Sequence, residues 1–447
     1  MLDNAILLFE HSVAVLLTFI FNEGDLALFL YKFVPFVLFL ELPVYFFIWV
    51  GVIRSLQRRE SETPLEQPFL PRVSGVVLSY SEGYEITQTV LSFLEQNYTG
   101  HIEIIIAVDG AVQNSETYKA AMAMMPLAER YHNRSIIVLP KIVRGGRVSS
   151  FNAAMGAASG EFLMPIDADT TLDNNVVQKC VRHFINENTI AVSGPLRATC
   201  NHFSIVSRLQ SIEYMISVHA GKLGLAELGV INNIPGAFGI YRKSFVETIG
   251  GWDTGTAEDL DMTIRIKQYL ARYPYLKIVF EPKAVAHTIV PDTLFDFLAQ
   301  RLRWDGDLSF IYLRKHRMAF SPGIVGWKNF IATLWYGIGF QIVMPFLIYL
   351  YLIYMAIVQT VPVFIGTMML IYIFYLLLTL IQFVMYLTLL SERPKPDIKL
   401  LLLIPLFPLF TFLIRLWSAV ANLNEWLNKG HLDSGMAPWW VLRKDKF

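Results

Sequence analysis

Cysteine is nearly absent from this sequence, with Cys180 and Cys200 the only two in 447 residues. That excludes a disulfide framework and any metal-finger spacing. Charge is scarce too. Asp, Glu, Lys and Arg make up 17% of the chain, and 37 basic residues balance 37 acidic ones. A net charge of zero gives no footprint of a nucleic-acid binder, so no nucleic-acid partner is expected. There is no internal repeat and no long low-complexity tract. Apolar residues dominate instead, at 54% of the chain. Mean hydropathy is +0.45, too high for an ordinary soluble domain, and membrane spans are expected. Asn97-Tyr98-Thr99 fits a glycosylation sequon, which a cytoplasmic location would make irrelevant.

The apolar residues come in blocks at the two ends. Ala5 to Phe21 contains Glu10 and His11 and reads as a span or an interfacial helix. Tyr31 to Ile53 reads as a span, and Arg54, Arg58 and Arg59 after it put that end in the cytoplasm. The first segment is too long, and too acidic in its flank, for a cleavable signal peptide, so an anchored protein is expected. Trp335 to Val358, Val363 to Leu390 and Leu400 to Val420 follow, the last broken by Pro405, Pro408 and Arg415. If all three cross, parity puts the tail outside, while Arg443, Lys444 and Lys446 favour inside.

The middle of the chain alternates. After a Pro-containing linker, Pro64 to Pro71, strands are expected at Val73 to Ser79, Ile102 to Val108, Ser135 to Leu139 and around Phe162 to Thr170. Helices separate them at Thr87 to Gln96, Tyr118 to Tyr131 and Phe151 to Ala158. Strand-helix alternation predicts an α/β domain with a mostly parallel sheet. Further on, strands are expected at Ile190 to Ser193 and Lys277 to Glu281, and helices at Asn174 to His183, Ser204 to Ala220 and from Glu258 to about Leu270. Leu294 to Arg314 reads as an amphipathic helix at the membrane surface.

The chain is organised around Phe162-Leu163-Met164-Pro165-Ile166-Asp167-Ala168-Asp169-Thr170. An apolar strand runs straight into two carboxylates, which share a face of an extended chain. They would lie at the strand's C-terminal edge, where open α/β sheets bind ligands. Two acids on one face call for a positive partner, such as a hard divalent cation that also bridges phosphates. Asp109 falls just past another strand end, and Glu258-Asp259 opens a helix. His219 and His287 have no spaced His partner and read as local hydrogen-bonding residues.

The ordered set Asp109-Gly110, Asp167-x-Asp169, Glu258-Asp259 and Gln300-Arg301-Leu302-Arg303-Trp304 resembles the processive family 2 membrane glycosyltransferases. Cellulose, hyaluronan and poly-N-acetylglucosamine synthases belong there. The resemblance covers about 73 to 320 closely and the flanking spans in outline. It implies a cytoplasmic GT-A type domain, Rossmann-like with a mostly parallel sheet, inserted between transmembrane helices and followed by amphipathic interface helices. The implied organisation is an N-terminal transmembrane region at 1–60, the glycosyltransferase domain at 66–292, interface helices at 293–332, a C-terminal transmembrane region at 333–425 and a tail at 426–447.

By the same resemblance, Asp109 holds the nucleotide of a UDP-sugar, with Glu82, Asp167, and Arg147 and Asn152 of the Gly-Arg-x-x-x-x-Asn stretch beside it. Asp169 is the metal ligand for Mg²⁺ or Mn²⁺. Asp259, with Glu258, supplies the catalytic base. Gln300, Arg301 and Arg303 bind the diphosphate, and Trp304 stacks the acceptor sugar, in a region framed by Gly236 and Phe238. Arg147 stands where the family has Lys, Ala257 where it has Thr, and Ser81 where it has Asn. Gly194-Pro195-Leu196 is similar to hyaluronan synthases, and Gly236 to Asp261 to poly-N-acetylglucosamine synthases. The expected activity is inverting, processive synthesis of a β-linked polysaccharide from a UDP-sugar, with export of the growing chain through the spans. The expected location is the bacterial inner membrane, multi-pass. A partner subunit or a periplasmic export protein is compatible with this. The alternatives are a non-processive transferase making a lipid-linked sugar, and an inactive transport or binding protein.

Overall fold

The computed structural model describes residues 2–21, 37–60, 68–200, 204–433, 435 and 437–442. The expected start of the first span at 31–36, the first half of the linker at 64–67, and Arg443, Lys444 and Lys446 lie outside the described residues.

A seven-stranded sheet runs in the order β3-β2-β1-β4-β8-β6-β9. Its parallel half is β1 (Val73–Ser79), β2 (Ile102–Val108), β3 (Arg134–Pro140) and β4 (Phe162–Asp167). β1 and β2 are wholly buried and mostly apolar, so neither alternates with exposed polar residues, and the buried Ser74 hydroxyl donates to Glu103 Oε2 at 2.6 Å. β8 (Gly239–Arg242) pairs antiparallel with both β4 and β6 (Thr189–Ser193), and β9 (Lys277–Phe280) closes the far edge. Pro165 of β4 cannot donate to a ladder. It sits where the β4–β8 pairing lapses, between Leu163↔Tyr241 and the isolated bridge Ile166↔Phe238. A second sheet, in the order β5-β10-β7, joins β5 (Thr170–Leu172), β7 (Leu196–Thr199) and β10 (Ala286–Ile289).

Among the described residues, four helical stretches are long and apolar enough to cross a membrane: Val37–Arg58, Trp327–Val358, Val361–Leu389 and Pro394–Asn428. Helix Leu2–Phe21 has an apolar stretch, Asn4–Thr18, that is shorter than these. The first span is welded to the α/β domain through glycines. A Cβ on Gly51 would lie 2.2 Å from the Gly224 carbonyl oxygen, so the span and helix Lys222–Glu227 approach backbone to backbone. The last two spans are tied to the domain by a buried ion pair, Arg197 of β7 to Asp397 at 3.4 Å. The surface helix Leu294–Ser309 packs on the last span, with Trp417 Nε1 donating to the Leu298 carbonyl at 2.7 Å and Ser418 donating to Asp305 at 2.6 Å.

Candidate active site

Parallel register sets the rim. Ser79 pairs with Val108 and Leu78 with Asp167, so the chain leaves β1, β2 and β4 at one level. Glu82, Asp109, Asp167 and Asp169 therefore line one cavity, and Gly236, Glu258, Asp259, Gln300, Arg301, Arg303 and Trp304 reach it from the other side. The cavity has a volume of about 1190 Å³ and continues between the four spans, past Tyr336, Phe340, Tyr375 and Arg415.

Arg147 joins the two acid motifs. It lies in the first turn of helix Gly146–Ala157, pairs with Asp167 and reaches Glu258 Oε1 at 3.1 Å. Burial works against its charge, but Asp167 and Glu258 together hold it protonated beyond the usual arginine range. Burial pushes Asp167 up to about 6 against the pull of Arg147, with Asp169 and Asp259 raising it further. Asp169 and Glu82 are raised as well, again chiefly by burial. Glu258 is raised by burial although Arg147 faces it.

These crowded acids fit a divalent cation. Among the described residues no cluster of three or more His, Cys, Asp or Glu could hold a metal alone. A cation bound by one or two carboxylates and completed by phosphate and water needs no such cluster. Asp169, with Asp167 beside it in the cavity wall, could supply those carboxylates.

Asp259 is held in a fixed pose. Its Oδ2 accepts from Asn233 Nδ2 at 2.8 Å and from the Gly236 amide at 3.2 Å, while Oδ1 accepts from the Leu260 amide at 2.7 Å. The helix it opens, Glu258–Arg272, is entered through Ala257 at φ +47°, a left-handed conformation that costs a non-glycine residue about 1 kcal/mol or more. Backbone strain of this kind clusters at functional sites. Asp261, two residues on, faces away from the cavity and is ringed by Arg265, Lys315 and His316 at 2.8 to 2.9 Å.

Other expected site residues are held by partners of their own. The Asp109 carboxylate accepts from Lys141 Nζ at 2.6 Å and from the amides of Gly145 and Gly146 at 2.9 and 2.8 Å. It thus locks the Gly-rich turn onto β2 at the cavity edge. Asn152 does not line the cavity. It exchanges two hydrogen bonds with the Trp252 backbone, at 2.8 and 3.0 Å, and so fastens the Gly250-Gly251 turn. A side chain on Gly251, at φ +73°, would strike the Asn152 oxygen at 2.4 Å. Phe238 is fully buried behind Gly194 and does not reach the cavity. Arg301 gives its guanidinium to Glu213, 2.7 Å from both carboxylate oxygens, and lies 5.0 Å from the centre of the Trp304 ring. Trp304 itself lines the cavity and is 36% exposed.

Asn233, Lys141 and Glu213 are the partners that reading the sequence missed. Asn232-Asn233 was the available signal, two amides in an otherwise apolar loop.

Residues 162–417 match the family model described as Glycosyl transferase family group 2. The chain belongs to that family. Curated relatives include the poly-beta-1,6-N-acetyl-D-glucosamine synthase of Staphylococcus epidermidis, 30% identical over 233 residues, covering 52% of this chain and 53% of that protein. The synthase of the same name from Staphylococcus aureus (strain COL) is 28% identical over 262 residues, covering 58% and 60%. The chain thus spans about half the length of the curated relatives it matches. Among solved structures, the mannosyltransferase PcManGT from Pyrobaculum calidifontis, in complex with GDP-Man and Mn²⁺, aligns with a TM-score of 0.53 at 16% identity. That alignment covers 87% of this chain and 99% of the other, and shows a common fold. The family 2 transferase therefore has the GT-A-like mixed α/β fold with apolar helices attached.

Proposed function

We propose that this family 2 glycosyltransferase polymerises a β-linked polysaccharide from a UDP-sugar and passes the product through its own spans. One observation carries the reading: the acidic site and the space between the four spans are a single cavity. That continuity offers a growing saccharide a path away from the acids, and product size separates this reading from a lipid-borne acceptor in the same space. The names of the Staphylococcus relatives support N-acetylglucosamine as the first sugar to try.

In this reading Asp259 is the base. An acceptor hydroxyl attacks the anomeric carbon, its proton goes to Asp259, and the bond from that carbon to the diphosphate oxygen breaks. Bonds from Asn233 and the Gly236 amide aim the carboxylate before substrate arrives. A single displacement with one base inverts the anomeric centre. Mg²⁺ or Mn²⁺ held by Asp169, when bound, would offset the charge of the departing diphosphate. Arg303 and Gln300 line the cavity as its protein-side partners, and Trp304 offers the acceptor sugar an apolar face. The domain at 66–292 would lie in the cytoplasm of a bacterium, between a membrane region at 1–60 and interface helices at 293–332, with further membrane helices at 333–425 and the tail at 426–447. The basic end of the first span, Arg54 and Arg58, supports that orientation. A partner subunit or periplasmic export protein would extend the path beyond the membrane.

The test is a UDP-release screen of the purified protein across UDP-sugars with Mg²⁺ or Mn²⁺, with linkage analysis of the product. Release from one UDP-sugar with a β-linked product supports the reading, and no release from any UDP-sugar overturns it.

A further inference from the structure

We infer that a second pocket, at the membrane-facing base of the α/β domain, binds a phosphate-bearing anion on the ammonium of Lys267. The phosphate belongs to an anionic lipid headgroup or to a small soluble phosphate compound. The inference stands apart from the synthase reading, since the pocket shares no lining residue with the acidic cavity.

The pocket has a volume of about 250 Å³. Five elements meet around it: the end of the first span, helix Lys222–Glu227, helix Glu258–Arg272, β9 and the start of the second span. Leu223, Leu270 and Ile278 give it an apolar wall. Into that lining the chain places three basic residues, Arg58, Lys267 and Lys277, against one acid, Glu227. Glu227 is already engaged, with Arg58 at 3.0 Å and Arg54 at 3.8 Å. Lys277 is exposed. Lys267 is 4% exposed, and among the described residues no acid pairs with it and no acceptor takes its ammonium protons. Burial pulls it down to about 8, and no neighbouring carboxylate holds it up. Asn329 of the second span also lines the pocket, and its buried Oδ1 has no hydrogen-bond partner.

A buried ammonium without a counter-ion is costly, and water in the pocket leaves its charge uncompensated. An entering anion compensates it. The Asn329 amide, turned about its axis, presents its NH₂ as a second donor to the same oxygens. The level of the pocket points to phosphate. Arg58 ends one span and Asn329 lies in the first turn of the next, so both mark where the spans join the domain. Trp327, 69% exposed, stands at that level as an interfacial ring. Basic pockets between spans at the cytoplasmic face hold anionic headgroups. Lys267 rides on the helix that carries Asp259, about two turns further on, so an occupied pocket ties that helix to the first two spans.

The test reads binding on the full chain, purified and free of metal. Thermal unfolding is followed against inorganic phosphate, with chloride at matched ionic strength as the control. It is also followed in phosphatidylcholine nanodiscs with rising phosphatidylglycerol. Wild type should be stabilised in at least one arm, and the arm names the source: phosphatidylglycerol alone for a lipid headgroup, inorganic phosphate for a soluble compound. Lys267→Met should weaken the apparent affinity in that arm about tenfold or more. Asn329→Leu should weaken it to a smaller degree, and carries the test if Lys267→Met does not fold. No stabilisation of wild type in either arm overturns the site. Stabilisation that survives undiminished in the folded variants also overturns it, and would place the anion at Arg147 and Arg303 of the acidic cavity.

Discussion

The guanidinium of Arg147 lies 3.1 Å from Glu258 Oε1, and the same side chain pairs with Asp167. One cation thereby connects the acids expected beside the metal to the acids expected at the sugar. It sits at a helix start that the Asp109 carboxylate pins through the Gly145 and Gly146 amides.

Removing that cation should cost fold and function together. Arg147→Met leaves two acids facing each other without compensation, and breaking a buried pair typically costs about 3–5 kcal/mol. Arg147→Lys keeps the charge but not the two-armed reach, so it should fold and retain reduced turnover. Thermal unfolding and UDP release on both variants check this. Equal stability of Arg147→Met and wild type would contradict it.

Asp259→Asn keeps the shape of the side chain and removes the proton acceptor. Transfer should fall by about 10²–10⁴-fold with UDP affinity near normal. Asn233→Ala should lower turnover less and leave UDP affinity unchanged, because Asn233 only aims the carboxylate. UDP titration and single-turnover rates separate the two effects. Substantial turnover by Asp259→Asn would remove Asp259 from the role.

Asp261 predicts a pH dependence of stability. Although burial alone would raise its carboxyl, His316, Arg265 and Lys315 hold it well below the usual carboxylate range. A depressed acid contributes stability that is present above its unfolded pKa and lost as pH falls through the folded one. Asp261→Asn should therefore destabilise the protein by about 3–5 kcal/mol near neutral pH. The gap should hold down to about pH 5 and shrink only below about pH 4. Unfolding curves of both proteins across that range provide the check. A gap that closes between pH 7 and pH 5 would point to another group.

Trp304→Ala should lower polymer yield while UDP affinity stays within about threefold, less than ~1 kcal/mol. Arg301→Met should follow it in part, since Arg301 lies against the indole and pairs with Glu213. UDP affinity and polymer yield measured on the same monodisperse sample decide the point. Joint loss of both with aggregation would favour a membrane-anchoring Trp instead.

The sequence made some of this legible and hid the rest, for physical reasons. β1 and β2 fall at Val73–Ser79 and Ile102–Val108 as expected, because short segments rich in Val and Ile between turns have few alternatives. β7, β8 and β10 went unread: each has four residues, in stretches rich in Gly, Pro or charge. The acid motifs announce themselves by spacing, whereas their partners are set only by folding. Arg301 meets Glu213 across 88 residues and Asn152 meets Trp252 across 100, and neither contact has a local signature. Phe238 looked like a loop residue near the acceptor. The Ile166 bridge and the bare backbone of Gly194 draw its ring into the core instead.

Product length at early times tests the account most directly. Purified protein is given its UDP-sugar, with labelled donor for the first seconds and excess unlabelled donor thereafter, and the product is sized. A cavity that runs from Asp259 into the spans predicts that early label ends up in long chains while most acceptors remain unextended. Label confined to single-sugar or lipid-linked products, or spread evenly over short chains, would contradict it.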